Sequence, residues 1–367
     1  MEEILPTGRT TPLWLDCDTG HDDAFAVLLA AHHPSLRLLG ISTVHGNASL
    51  EKTTTNTLSI LTAIGRSDVP VYPGAVKPFS RNAVHASDIH GSTGLDGTTC
   101  LPPPSVQAIT KPRAILAMRH ALISQPEGTT WLVATGALTN VALLFATFPE
   151  MVQHINGLSV MGGAIGNGFT DAPMGQVRGE GVRFGNSTKY AEFNIYCDPE
   201  SARSIFSNPK LAAKTTLITL DLTHQVLANL EVQQLLAGDP LAPLSTPNHL
   251  NLRQMFHQIL IFFAHTYRDV YGLSKGPPLH DPLAVAILLD GQSEVLNFDD
   301  CGGERWHVNV VTDGLHSDLD SERGEVGRTV ITRAEEGGVR IPSRVDVHRF
   351  WVLVDQCMQR AEQAMSP

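Results

Sequence analysis

The stretch LWLDCDTGHDDAFAVLLA, Leu13–Ala30, sets four aspartates, Asp16, Asp18, Asp22 and Asp23, between a short apolar run and an apolar helical segment. LWLD reads as a buried strand because it is short, apolar and closed by turn residues. DDAFAVLLAAHH, Asp22–His33, reads as a helix that stops at Pro34. The helix accounts for two of the acids, Asp22 as its N-cap and Asp23 in a first turn where the dipole favours negative charge by ~0.3–1 kcal/mol. Asp16 and Asp18 precede the Thr-Gly turn and are not explained by the dipole. Something else must offset the repulsion among these carboxylates.

The same alternation continues along the chain. LRLLGISTV (Leu36–Val44), TWLVATG (Thr130–Gly136), GLSVMGG (Gly157–Gly163), TTLITLD (Thr215–Asp221) and WHVNVVT (Trp306–Thr312) read as strands. LEKTTTNTLSILTAIG (Leu50–Gly65), ILAMRHALI (Ile115–Ile123) and LTNVALLFATF (Leu138–Phe148) read as helices. Continuously apolar strands alternating with helices predict an α/β fold, an open and mainly parallel (mixed) sheet with helices on both faces. Two irregular stretches, Arg81–Ser105 and Gly162–Lys189, are rich in Gly, Pro, Ser and Thr; loops of that length are functional or disordered. The pattern resumes on both sides of each, so residues 1–367 read as one domain.

The 367 residues carry a formal net charge of −11 and no Lys/Arg block, which argues against nucleic acid as partner. Cys17, Cys100, Cys197, Cys301 and Cys357 are odd in number and show no CxxC spacing, suggesting neither a zinc site nor a disulfide framework. MEEILPTGRTTP lacks the pattern of a secretory signal. No run reaches the ~18 apolar residues of a membrane helix. The expectation is a cytoplasmic protein with no membrane partner.

Ligands of an open α/β sheet sit outside the carboxyl ends of its strands. The polar residues found there are the four aspartates, HGN (His45–Asn47), ATG (Ala134–Gly136) and MGG from Met161. A hard cation would offset the crowding, since calcium takes six to eight oxygen ligands. The spacing D-x-D-x-x-x-D-D is not an EF-hand loop, so further ligands must come from elsewhere. Asp281 in LHDPLAV is a candidate, although it also reads as an N-cap followed by Pro at the first helical position. LWLDCDTG loosely resembles the magnesium-dependent phosphatases of the haloacid dehalogenase type, whose first aspartate is the nucleophile. No later lysine and acidic pair completes that scheme, and Asp22-Asp23 has no role in it.

LDCDTGHDDAFA also resembles the N-terminal signature of the inosine–uridine-preferring nucleoside hydrolases. TVHGN, IHGSTGLDG, VATGALTNVAL, VMGGA, AEFNIYCDPE and LHDPLAV follow in the family's order, so the resemblance spans about Leu13 to Leu289. It implies a Rossmann-like nucleoside hydrolase fold and calcium-dependent hydrolysis of ribonucleosides, uridine or inosine, to base and ribose in nucleoside salvage. Calcium would be held by Asp18, Asp23, Asp281 and the Thr135 carbonyl. Asp18 would also act as general base toward water, as bound metals activate water near neutral pH. Asp22 and Asn194 would hold the ribose hydroxyls, Glu192 and Asn186 its 5′ end, Asn47 would orient water and sugar, and Met161 would line the sugar pocket. His280 and His90 would serve the departing base as catalytic residues, with Tyr267 and Tyr271 closing over it. As plain sequence features, Met161 reads more readily as core than as a ligand contact, His280 as a packed neighbour of Asp281, His90 as a loop residue, and the tyrosines as a helix face. The Gly-rich stretch at about 165–185 is longer than in compact relatives and resembles insertions of fungal members, which often act on uridine; it reads as a lid or a surface loop. The family forms homodimers or homotetramers. The rival readings are the phosphatase and a nucleoside-binding protein that has lost its chemistry.

Overall fold

The computed structural model describes residues 10–176, 183–238, 252–291, 294, 296–316 and 324–365. Nine strands form one sheet in the order β3-β2-β1-β4-β5-β6-β9-β7-β8. They are β1 (Thr11–Cys17), β2 (Leu36–Thr43), β3 (Val71–Pro73), β4 (Trp131–Ala134), β5 (Gly157–Met161), β6 (Thr215–Ile218), β7 (Arg305–Val310), β8 (Thr329–Arg333) and β9 (Val339–Arg340). From β3 to β9 neighbours pair in parallel, and β7 pairs antiparallel with both β8 and β9. The sheet is therefore parallel with an antiparallel edge, and the mixed α/β prediction holds.

Strand periodicity splits the core in two. Leu13, Leu15 and Cys17 of β1 face a cluster with the helices His21–His32, Leu50–Ala63, Leu252–Tyr271, Asp281–Ala286 and Val347–Met365. Trp14 faces the other way, with Leu132, Leu158 and Leu217, against the helices Ala114–Ile123, Thr139–Thr147 and Pro199–Phe206. Period two in the strands is what gives each face its own set of apolar side chains. The helix His21–His32 is buried from His21 to Ala30, as a helix that is apolar all round must be.

Three local readings change. The N-cap of that first helix is Gly20, not Asp22, and Asp23 reaches back to accept from the Gly20 N–H at 2.8 Å. His280 caps the helix Asp281–Ala286, which puts Asp281 inside its first turn. The helices Leu252–Tyr271 and Val347–Met365 and the short strands β3, β8 and β9 add to the elements read from sequence. Of the Gly-rich stretch, residues 177–182 lie outside the described residues. The part before them is tied down: the Ile165 and Gly166 N–H groups donate to the Asp221 carboxylate, and the Gln176 N–H to the Tyr271 carbonyl. No helix among the described residues is long and apolar enough to cross a membrane.

Candidate active site

Parallel pairing brings the carboxyl ends of β1, β2, β4, β5 and β6 to one edge, and residues from their following turns meet there. A cavity of about 320 Å³ opens at that edge, bordered by Asp22, Asn47, Thr135, Met161, Asn194 and Asp281 along one wall. His90, Phe263, Tyr267, Tyr271 and His280 form another wall, with Asn186 and Glu192 also lining the space. Asp22 and Asp281, 259 positions apart in the chain, thus become neighbours.

The acids differ in what holds them. Asp16 is sealed under the site, its Oδ1 accepting from Ser42 Oγ and, at 2.8 Å, from Asn140 Nδ2, while its carbonyl accepts from the Thr135 N–H. Burial pushes its carboxyl up to about 7. Asp23 accepts from Gly20 N–H, Thr135 Oγ1 (2.8 Å) and Asn47 Nδ2 (3.2 Å). Asp18 Oδ2 accepts from the Asn47 N–H at 2.7 Å, whereas its Oδ1 is fully buried with no partner. Gly46 and Gly136 allow this close seat, because a Cβ on Gly46 would lie 1.9 Å from Asp18 Oδ2 and one on Gly136 2.8 Å from Oδ1.

Among the described residues, Asp22, Asp23 and Asp281 form a buried group in which one carboxylate oxygen from each lies within 4.8 Å of the others. Asp18 stands outside that trio, although it feels the charges of Asp23 and Asp22. Burial and then mutual repulsion push Asp18 and Asp281 well above the usual carboxylate range and Asp22 up to about 7. Two unit charges ~4 Å apart repel by about 4 kcal/mol at an effective dielectric of ~20, so these groups stay ionised together only beside a positive charge. The all-oxygen donor set and the orphaned Asp18 oxygen fit a hard divalent cation.

Asn194 Nδ2 donates to the Thr135 carbonyl at 2.9 Å, and that carbonyl's second lone pair remains for another partner. Both oxygens of Glu192 are taken by backbone N–H groups, those of Asn194, Ile195 and Gly163, because it caps the helix Phe193–Cys197. Asn186 Oδ1 accepts from the Phe193 N–H, and its carbonyl accepts from Tyr271 Oη at 2.6 Å. His280 lies between Tyr267 Oη and Thr223 Oγ1, each 2.7 Å from one ring nitrogen. Burial holds its imidazole well below the usual histidine range.

All of the residues named from the sequence thus gather at this edge, Asp18 and Asp23 just behind the cavity wall. The sequence reading passed over His21, which bonds to His90, and Thr223, which supports His280. It also passed over Phe263, Tyr196 and His316, which line the cavity. His21 stands inside the acid-rich signature and was findable there; His316, beyond β7, carries no local signal.

The sequence profile described as inosine-uridine preferring nucleoside hydrolase matches residues 13–352. The uridine nucleosidase of Saccharomyces cerevisiae is 35% identical over 96% of this chain and 97% of its own length. The pyrimidine-specific ribonucleoside hydrolase RihA of Shewanella woodyi is 40% identical over 76% of this chain and 80% of its own. A solved structure of the purine-preferring ribonucleoside hydrolase from Gardnerella vaginalis superposes with a TM-score of 0.76 at 24% identity, covering 96% of this chain and 99% of that one, which bears on the fold alone.

Proposed function

The chain belongs to the inosine-uridine preferring nucleoside hydrolase family and hydrolyses the N-glycosidic bond of ribonucleosides, and from that premise we propose that it is a calcium-dependent enzyme that prefers pyrimidine nucleosides, uridine first, in nucleoside salvage. The observation that carries the proposal is the meeting, in one cavity, of a buried carboxylate trio with a wall of histidines and tyrosines. The first suits a cation and a vicinal diol, the second a planar base. The names of the yeast and Shewanella relatives support the pyrimidine preference.

Asp22, Asp23, Asp281, Asp18 and the Thr135 carbonyl would hold the cation; when bound, it supplies a fixed positive charge and Lewis-acid activation of water. Asp18 acts as general base: the Asn47 N–H steadies Oδ2, and Oδ1 is left to take a proton. Water oxygen bonds to the anomeric carbon as the bond to the base nitrogen breaks, and the base leaves with a proton from the Tyr267–His280 pair. The ring passes through an oxocarbenium-like state, which buried and fixed carboxylates stabilise. Asp22 and Asn194 orient the ribose hydroxyls, and Met161 packs under the sugar.

The phosphatase reading requires Asp16 as nucleophile, and Asp16 is fully buried beneath the site and bound to Ser42 and Asn140. Ribose release from uridine, cytidine and inosine, before and after chelation and calcium return, tests the proposal. Equal rates on all three would sink the pyrimidine preference, and activity that survives exhaustive stripping would sink the metal dependence. The Asp18→Asn variant separates an enzyme from a binding protein, since it should still bind uridine while losing turnover.

A further inference from the structure

We propose that His21 is a positioning residue that holds His90 in its Nδ1–H form, so that His90 turns an accepting Nε2 toward the base. The inference rests on the nucleoside hydrolase reading of the cavity and assigns one part of its base wall. His21 lies parallel to two phenyl rings, Phe262 and Phe263, with centroids at 5.1 and 5.4 Å and interplanar angles of 8° and 6°. Both of its nitrogens are engaged, Nε2 with the Asp96 carbonyl at 2.9 Å and Nδ1 with His90 Nδ1 at 3.0 Å.

A carbonyl oxygen only accepts, so the proton on His21 sits at Nε2. The ring is buried against apolar faces and bonded to no carboxylate among the described residues, a setting that disfavours an imidazolium. Nδ1 of His21 is therefore a lone pair. A nitrogen pair at 3.0 Å needs a proton between its members, and it comes from His90 Nδ1. The His21 backbone N–H also points at that atom, but from 3.4 Å, beyond the ~2.7–3.2 Å of a good hydrogen bond, so the ring contact decides. Gly20 fits the same arrangement, since a Cβ there would lie 2.5 Å from His90 Nδ1.

Neutral His90 then carries a lone pair on Nε2. That nitrogen has no hydrogen-bond partner among the described residues and is not sealed from the cavity that His90 lines. His90 thus accepts from an N–H or amino group of the base, such as uracil N3–H or the cytosine amino group. Protonation of the leaving nitrogen falls to the Tyr267–His280 pair on the same wall.

Long-range 1H–15N correlation of the full chain labelled with 15N-histidine tests this, with His90 assigned by the signals lost in His90→Asn. The expected parent spectrum shows His90 protonated at Nδ1. His21→Asn, whose Oδ1 replaces the acceptor, keeps that form, whereas His21→Leu moves the proton toward Nε2. In parallel, His21→Leu should lose about tenfold or more in kcat/KM on uridine but less than about threefold on 4-nitrophenyl riboside, whose leaving group presents no N–H donor to His90. Loss of fold or of the acid site would lower both substrates alike. A parent His90 protonated at Nε2, or equal losses on the two substrates, overturns the proposal. A parent chain that releases no ribose from any nucleoside overturns the reading of the cavity instead, and the tautomer result still decides the role of His21.

Discussion

Gly46→Ala tests how tightly Asp18, the proposed general base, is seated. The new Cβ would sit 1.9 Å from Asp18 Oδ2, whereas real Cβ atoms essentially never approach a neighbour closer than 3.0 Å. Asp18 or the Gly46 backbone must therefore give way by about 1 Å, and the 2.7 Å bond from the Asn47 N–H, two atoms away along the same turn, is stretched with it. A misplacement of ~1 Å in a reacting group costs on the order of 10²-fold in rate. Losing a hydrogen bond to a charged group also costs about 1.5–3 kcal/mol of stability. Gly136→Ala presses on the other oxygen of the same carboxylate from 2.8 Å, a violation of only a few tenths of an ångström, so its loss should stay within about tenfold. Steady-state ribose release from uridine measures the rates, and circular dichroism with thermal melting confirms that each variant is folded. The expected order is parent, then Gly136→Ala, then Gly46→Ala. If Gly46→Ala folds and keeps kcat within about threefold of the parent, the seat of Asp18 is not what sets the rate.

Three further outcomes follow from the same geometry. Tyr267→Phe removes the hydroxyl 2.7 Å from His280 Nε2 and should lower kcat on uridine by about 10²-fold; on 4-nitrophenyl riboside, whose leaving group needs no proton, the change should be small, and equal losses would count against the pair as proton source. Calcium at 100 times its Kd should stabilise the chain by about 2.7 kcal/mol, read as a rise in Tm of a few degrees that chelation reverses; a Tm indifferent to calcium would refute the site. His224 is fully buried, and burial lowers its imidazole from 6.5 to about 4. The unfolded chain therefore binds this proton first, so the stability His224 contributes is complete above pH 6.5 and falls as pH drops from 6.5 toward 4, by roughly 3 kcal/mol in all. Denaturant midpoints of His224→Gln across that interval should show a correspondingly flatter acid slope, and an unchanged slope would exclude His224 as a contributor.

Much of the architecture was legible before any coordinates. Strands such as LWLD and GLSVM are buried at every position because both faces of a parallel sheet are covered, and their nearly continuous apolar runs leave a clear trace. β3 and β9 leave none, since strands of three and two residues are too short for a period. The helix Leu252–Tyr271 is legible only in part: its apolar face was noticed around Tyr267 and Tyr271, but the stretch before it supplies no boundary, and residues 239–251 lie outside the described residues. The capping of the first helix was misplaced because Asp22 is an ordinary N-cap residue type, while the actual cap, Gly20, offers no side chain.

The sequence by itself determined the alternating fold and the acid signature, because those depend on local spacing and residue type; the other residues that meet at the strand ends were implied by the resemblance of its motifs to the nucleoside hydrolases. Only the tertiary structure decided where each acid sits and what holds it. It placed Asp16 under the site, Asp23 in a cage of donors, and Asp22 against Asp281 across 259 positions of chain. It also left one oxygen of Asp18 with no partner and set His21 against His90. These outcomes rest on which strand ends lie side by side and how deeply each carboxylate is buried. Charge, desolvation and hydrogen bonding act through distance in space, and distance along the chain does not encode them.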